Sequence, residues 1–293
     1  MKLDFVCVGA QKAGTTALHD TLSKITNVCL ASNKEAHWFE IEERYKLGLD
    51  QFFLNFYADC NYNDEKVGLI NPNLILKEKA LLRLKEDFPD IKVIYIIREP
   101  LERAWSHYLM SRRRGIETLE FGEALAIEKQ RIYNPSYWTD RRVKTSEPGF
   151  YELNHFSYKF RGEYKRQIKS LYNIFGSENV LVSDFEDLKS NSSLFINNIG
   201  SFIGVDCQEL YVPKSNESKG HSSSNISFYN SQVIRFFRIV LAIVLPAKIG
   251  IKLRKLIRSK FLEVKVLPSL NRKRFLPEFE DLSREYISIK QSL

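Results

Sequence analysis

Two alternating periodicities along the chain predict an α/β protein of three layers, a mainly parallel sheet with helices on both faces. Runs at 3–10, 92–97 and 180–183 have the mostly apolar, β-rich character of strands buried on both sides. Segments with helical spacing separate them, and a glycine-bearing loop joins the first run to the first helix.

Residues 3–10 read as the first strand, 9–16 as a loop and 15–23 as the first helix. Residues 27–31 and 67–70 read as short strands, the second ending at Asn71-Pro72. Helical periodicity over 77–88 stops at Pro89-Asp90, and 92–97 is a β-branched run too short for a helix. Pro100 suits the first turn of a helix that runs to about 114 and closes at Gly115. Helices near 162–175 and 192–203 flank a strand at 180–183. Ligands of such folds sit beyond the carboxyl ends of the strands. The loops after Ala10, Ala31, Ile70 and Ile97 should therefore face one cleft.

The 293 residues suffice for one large core, and 44% hydrophobic with 27% charged residues argues against broad disorder. The net charge of +8 is uneven. Residues 230–293 hold 14 Lys and Arg against 5 Asp and Glu, and the rest of the chain holds 30 against 31. The chain thus divides into a domain at 1–229 and a basic helical extension at 230–293. That extension either packs on the domain or lies at a membrane interface, because its longest apolar stretch, 239–247, is too short to span a bilayer. Cys7, Cys29, Cys60 and Cys207 form no C-x-x-C pair and read as reduced thiols of a cytoplasmic protein. Met1 lies close to the first apolar run, which leaves no room for a signal peptide; peripheral contact with the inner membrane face stays open, and no nucleic-acid partner is expected.

Gly9-Ala10-Gln11-Lys12-Ala13-Gly14-Thr15-Thr16 follows a strand and opens a helix, where unpaired amides attract anions. It departs from the nucleoside-triphosphate loop G-x-x-x-x-G-K-[ST], because position 15 is Thr and the lysine stands inside the loop at 12. A glycine turn with a surface lysine is the plainer reading. The segment resembles the PAPS-dependent sulfotransferases (PAPS is 3′-phosphoadenylyl sulfate), especially the heparan-sulfate branch and its bacterial relatives. The resemblance implies a P-loop-like fold and assigns Lys12, Ala13, Gly14, Thr15 and Thr16 to the 5′-phosphosulfate.

Arg98-Glu99-Pro100 with Arg103, Ser106 and Tyr108 follows the fourth strand and is similar to the family's 3′-phosphate motif. That similarity gives the phosphate to Arg98 and Ser106 and leaves Arg103 and Tyr108 to brace the helix. Lys34-Glu35-Ala36-His37-Trp38-Phe39 resembles K-E-x-H-F-F, whose glutamate is the general base. Ala36 replaces the usual Pro, which suggests a less rigid loop. His37 could orient Glu35, contact substrate or act as a second base. Alternatively Glu35 is a solvated acid and His37 packs on Trp38. Lys219, Gly220 and His221 match a loop that closes over the adenosine in the family, or form part of a Ser-rich linker. The resemblance spans about 3–225, with a weak acidic helix at 276–291 beyond it.

The reading that results is a sulfotransferase using PAPS as co-substrate, with no metal expected. Its acceptor is the hydroxyl or amine of a saccharide or glycolipid. The alternatives are a P-loop nucleotide kinase or NTPase and a non-catalytic anion- or membrane-binding protein. Arg112-Arg113-Arg114 and Arg141-Arg142 either line a groove for an acidic glycan or are solvated charges.

Overall fold

The computed structural model describes residues 1–62, 65–138, 149–207 and 272–293. Five parallel strands, β1 (Phe5–Gly9), β2 (Val28–Leu30), β3 (Lys66–Ile70), β4 (Lys92–Ile97) and β5 (Val180–Asp184), form one sheet in the order β2-β3-β1-β4-β5. β1 is buried throughout, and β4 is buried at every position but Lys92, as their apolar runs require. The register sets Phe5 opposite Gly68 on one side and Lys92 on the other. The Phe5 ring covers Gly68 so closely that a Cβ there would lie 2.1 Å from its Cζ.

The helices are α1 (Thr15–Leu22), α2 (Glu42–Tyr45), α3 (Gly48–Phe56), α4 (Glu78–Asp87), α5 (Pro100–Arg113) and α6 (Phe121–Ala126). They continue with α7 (Glu128–Tyr133), α8 (Phe150–Phe156), α9 (Tyr164–Phe175), α10 (Phe185–Ser190), α11 (Ser192–Ile203) and α12 (Leu276–Ser292). The crossover from β1 to β2 passes β3 in one direction, and the crossover from β3 to β4 passes β1 in the other. Right-handed crossovers of opposite direction place their helices on opposite faces, so α1 covers one face and α4 with α9 the other. The direction changes between β1 and β4, and the crevice beyond their carboxyl ends is where ligands of such sheets bind.

The sequence-based elements match these to within a few residues. α2, α3, α6–α8 and α10 have no counterpart among them. They are short, and α3 owes its place to Phe52 and Phe53, which bury completely among Trp38, Phe39, Tyr57 and Phe88.

α12 docks across the sheet edge. Tyr286 donates to both oxygens of fully buried Asp184 at 3.0 and 2.9 Å, and Lys290 Nζ reaches the same carboxylate at 2.6 Å. Phe275 and Phe279 bury in a second apolar cluster with Leu101, Tyr108 and Phe121. The 1–229 and 230–293 boundary lies outside the described residues. No described helix is long and apolar enough to cross a membrane.

One expectation is overturned. Cys29 and Cys60 form a disulfide, with Cα atoms 5.8 Å apart, while Cys7 and Cys207 are free and buried. Spacing along the chain could not reveal it, because the pair meets only when α3 turns the chain back to β2. Disulfides are rare in reducing cytosol, so the cysteine pattern no longer argues for a cytoplasmic setting.

Candidate active site

The loop after β1 turns sharply enough to put Lys12 at φ 73° and Gly14 at φ 90°. Gly14 is needed there twice over. Its dihedral disfavours any side chain, and an added Cβ would stand 2.7 Å from Leu188 and 2.9 Å from Phe185. Gly14 caps α1 without a side-chain acceptor, so the first amides of the helix are left for a ligand. Ala13 and Thr15 are buried, whereas Thr16 is exposed and accepts from Lys34 Nζ at 2.7 Å.

Arg98 leaves β4 beside this loop. Its Nη1 donates to the Lys12 carbonyl at 2.9 Å, and its guanidinium lies 4.7 Å over the Phe185 ring. Its Nε is buried with no hydrogen-bond partner among the described residues. Glu99 caps α5 by accepting from the Glu102 amide at 2.7 Å, and Ser106 sits half-buried on the second turn of that helix. Arg103 is fully buried and donates to the Tyr158 carbonyl, and Tyr108 donates to the Leu119 carbonyl at 3.2 Å. Both therefore brace α5.

Cations crowd this crevice. Burial, and then the charges of Arg113, Arg98, Arg114 and Lys34, push the Lys12 ammonium down to about 8. Such crowding with an unsatisfied Arg98 nitrogen fits a polyanion. The arginine triplet thus splits. Arg112 donates to the Thr118 carbonyl at 2.8 Å, while Arg113 and Arg114 bear on Lys12.

Glu35 and His37 occupy the loop after β2. Trp38 is buried 5.5 Å from the Phe52 ring, and Arg44 Nη1 holds the carbonyls of Ala36 and His37 at 3.0 and 3.2 Å. The loop is thus secured by Arg44 rather than by a proline. His37 spans two carboxylates: Nδ1 stands 3.1 Å from Glu40 Oε1 and Nε2 3.8 Å from Glu35 Oε2. Burial opposes its charged form. The Glu40 hydrogen bond and the charges of Glu40 and Glu35 outweigh burial and hold its titration above the ordinary imidazole value.

Sequence reading missed Glu40, Asn71, Asn73 and Arg161. Asn71 Nδ2 donates to Glu40 at 2.6 Å, Asn73 Nδ2 faces Glu35 at 3.4 Å, and Arg161 Nη2 donates to Asn73 Oδ1 at 2.7 Å. Burial first, and then the charge of Arg103, push the Arg161 guanidinium down to about 9. Glu40 could have been suspected as a second acid in the Glu35 loop, and the two asparagines from the turn after β3. Nothing in the local sequence marks Arg161. Lys219, Gly220, His221, Arg141 and Arg142 lie outside the described residues.

The arrangement offers unpaired helix amides, a second cation one strand away and a supported carboxylate beside Lys34, which itself reaches Thr16. The sulfotransferase domain family matches residues 2–238. The bifunctional heparan sulfate N-deacetylase/N-sulfotransferase 4 of Mus musculus is 24% identical over 210 residues, covering 69% of this chain and 22% of that protein. The heparan sulfate glucosamine 3-O-sulfotransferase 5 of Mus musculus is 29% identical over 126 residues, covering 42% of this chain and 36% of its own length. The chain thus spans well under half of either relative. A crystal structure of a sulfotransferase from Alicyclobacillus acidocaldarius superposes with a TM-score of 0.57 at 26% identity, over 74% of this chain and 86% of that one.

Proposed function

The chain belongs to the sulfotransferase domain family, and from that premise we propose that it moves the sulfuryl group of PAPS to a hydroxyl or amine of a saccharide-type acceptor. The contact of Arg98 with the Lys12 carbonyl carries this reading, because it brings the two anion-holding elements into one crevice. PAPS has anionic groups at both ends of its ribose. Lys12, Ala13, Gly14, Thr15 and Thr16 would hold the 5′-phosphosulfate, and Arg98 with Ser106 the 3′-phosphate. Lys219, Gly220 and His221 would close over the adenosine. The relatives named for heparan sulfate support a saccharide acceptor, and the basic 230–293 segment would draw the enzyme toward an anionic surface.

Glu35 takes the acceptor proton as the acceptor atom bonds to sulfur. The bond from sulfur to the 5′-phosphate oxygen breaks, and Lys12 balances the charge left on that oxygen. The products are the sulfated acceptor, 3′,5′-ADP and a proton held on Glu35. Glu40 binds His37 on the side away from Glu35, which suits His37 to orienting the base and offsetting its charge.

Calorimetric titration with 3′,5′-ADP, ATP and AMP tests the site, and 3′,5′-ADP is expected to bind tightest. Preference for ATP would replace this reading with a nucleotide kinase. Lys12→Ala should abolish turnover. Glu35→Gln should spare 3′,5′-ADP binding and lower kcat about 10²–10⁴-fold, and near-full activity in that variant would remove the base assignment.

A further inference from the structure

The turn leaving β3, Asn71-Pro72-Asn73, sends two side-chain amides toward two carboxylates. Asn71 Oδ1 accepts from the Asn73 backbone amide at 3.1 Å, which leaves Asn71 Nδ2 to donate to Glu40 Oε1 at 2.6 Å. Asn73 Oδ1 accepts from Arg161 Nη2 at 2.7 Å, which leaves Asn73 Nδ2 facing Glu35 Oε2 at 3.4 Å. An amide has one oxygen that accepts and one nitrogen that donates, and a guanidinium only donates. Occupation of the Asn73 oxygen by Arg161 therefore decides that a donor, not an acceptor, meets Glu35.

Arg161 cannot easily yield that position. It is 1% exposed, its Nε donates to Ser157 Oγ at 2.9 Å, and its Nη1 donates to the Pro72 carbonyl at 3.3 Å. Its Nη2 also reaches the Asn154 carbonyl at 3.2 Å. One buried side chain thus holds both the backbone of the turn and the polarity of its second amide. It stands on the short turn Phe160–Gly162, outside every segment that resembles a catalytic motif.

We propose that Arg161 is a positioning residue for proton transfer, acting through the fixed amide of Asn73 to aim Glu35. Asn71 does the same for Glu40, and Glu40 in turn holds His37. This inference rests on Glu35 being the base. The charged groups that bear on Glu35 are Lys34 and His37 from its own loop and Arg161 from behind the turn. Beyond His37 lies Phe150, whose ring carries Lys77 Nζ at 5.4 Å.

A donor favours the carboxylate form, and an acceptor in its place disfavours it. Asn73→Asp keeps the shape, lets Arg161 keep its partner and turns an oxygen toward Glu35. The acid limb of kcat against pH should then move up by at least about one pH unit, from the lost hydrogen bond and the added negative charge together. Affinity for 3′,5′-ADP should stay at the wild-type value. Arg161→Met should lower kcat at least tenfold with the donor KM unchanged. Arg161→Met combined with Asn73→Ala should be no slower than the slower single variant, as expected when one residue acts through the other.

Circular dichroism and 3′,5′-ADP binding check that each variant folds, and Asn73→Ala supplies the same pH comparison if Arg161→Met does not. Glu35→Gln is run in parallel. Should it lose its rate while folded Asn73→Asp and Asn73→Ala leave the acid limb in place, the clamp is wrong and the base reading stands. Additive losses in the double variant would also overturn the clamp. Should Glu35→Gln keep its rate, the base reading fails and the clamp fails with it.

Discussion

Burial and the neighbouring cations push the Lys12 ammonium down to about 8, so donor binding through it should depend on pH near neutrality. The charged ammonium prevails below that value, so affinity of the free enzyme for the donor should fall as pH rises through it. The kcat/KM for PAPS reports free-enzyme groups and should show that descending limb. Arg113→Ala removes the largest charge acting on Lys12 and should move the limb to higher pH; a profile flat through about 8 in the wild type would contradict this. His37 is linked to stability instead. Its folded-state titration is raised, so its stabilising contribution is complete below the ordinary value of about 6.5 and is lost as pH climbs through the folded value. Thermal unfolding of His37→Gln should therefore fall furthest below wild type in mildly acidic buffer.

At the scale of elements, the Cys29–Cys60 bridge encloses the loop that bears Glu35, His37 and Glu40, across a sequence separation of 31. Closing a loop of that length restricts the unfolded chain by about 3–4 kcal/mol in the chain-entropy account. A Cys60→Ala variant, or the reduced wild type, should lose several degrees of Tm. An unchanged Tm would mean that the bridge adds nothing to the fold. The junction of β1 and α1 has less latitude. Gly14→Ala meets both an unfavourable dihedral and contacts of 2.7 and 2.9 Å, so it should cost about 1–3 kcal/mol and weaken 3′,5′-ADP binding.

At the scale of the whole molecule, α12 closes the domain over the edge at β5. Asp184 accepts from the Glu186 amide that it caps at 3.0 Å, and otherwise depends on Tyr286 and Lys290 from the far end of the chain. Tyr286→Phe leaves a buried carboxylate short of a donor and should lower unfolding free energy by about 1–3 kcal/mol in urea titration. The same helix donates from Ser283 Oγ to Glu99 at 2.9 Å, beside the cap of α5, so deleting 272–293 should weaken 3′,5′-ADP binding as well as stability.

The sequence by itself determined the sheet, the glycine-bearing loop after β1 and the motif after β4. Buried parallel strands need continuous apolar runs, and a sharp loop at a helix start needs glycine; both are local demands that 3–10, 92–97 and Gly9–Gly14 state openly. The positions of Lys12, Glu35 and Arg98 after strand ends were legible for the same reason. Only the tertiary structure decided what each of them meets. The Arg98 contact with Lys12 spans 86 residues, the Arg161 contact with Asn73 spans 88, and the Tyr286 contact with Asp184 spans 102. The closure of Cys29 on Cys60 belongs to the same class. Such pairings leave no periodicity in the chain, because they arise only where the sheet order and the crossovers return distant segments to one place.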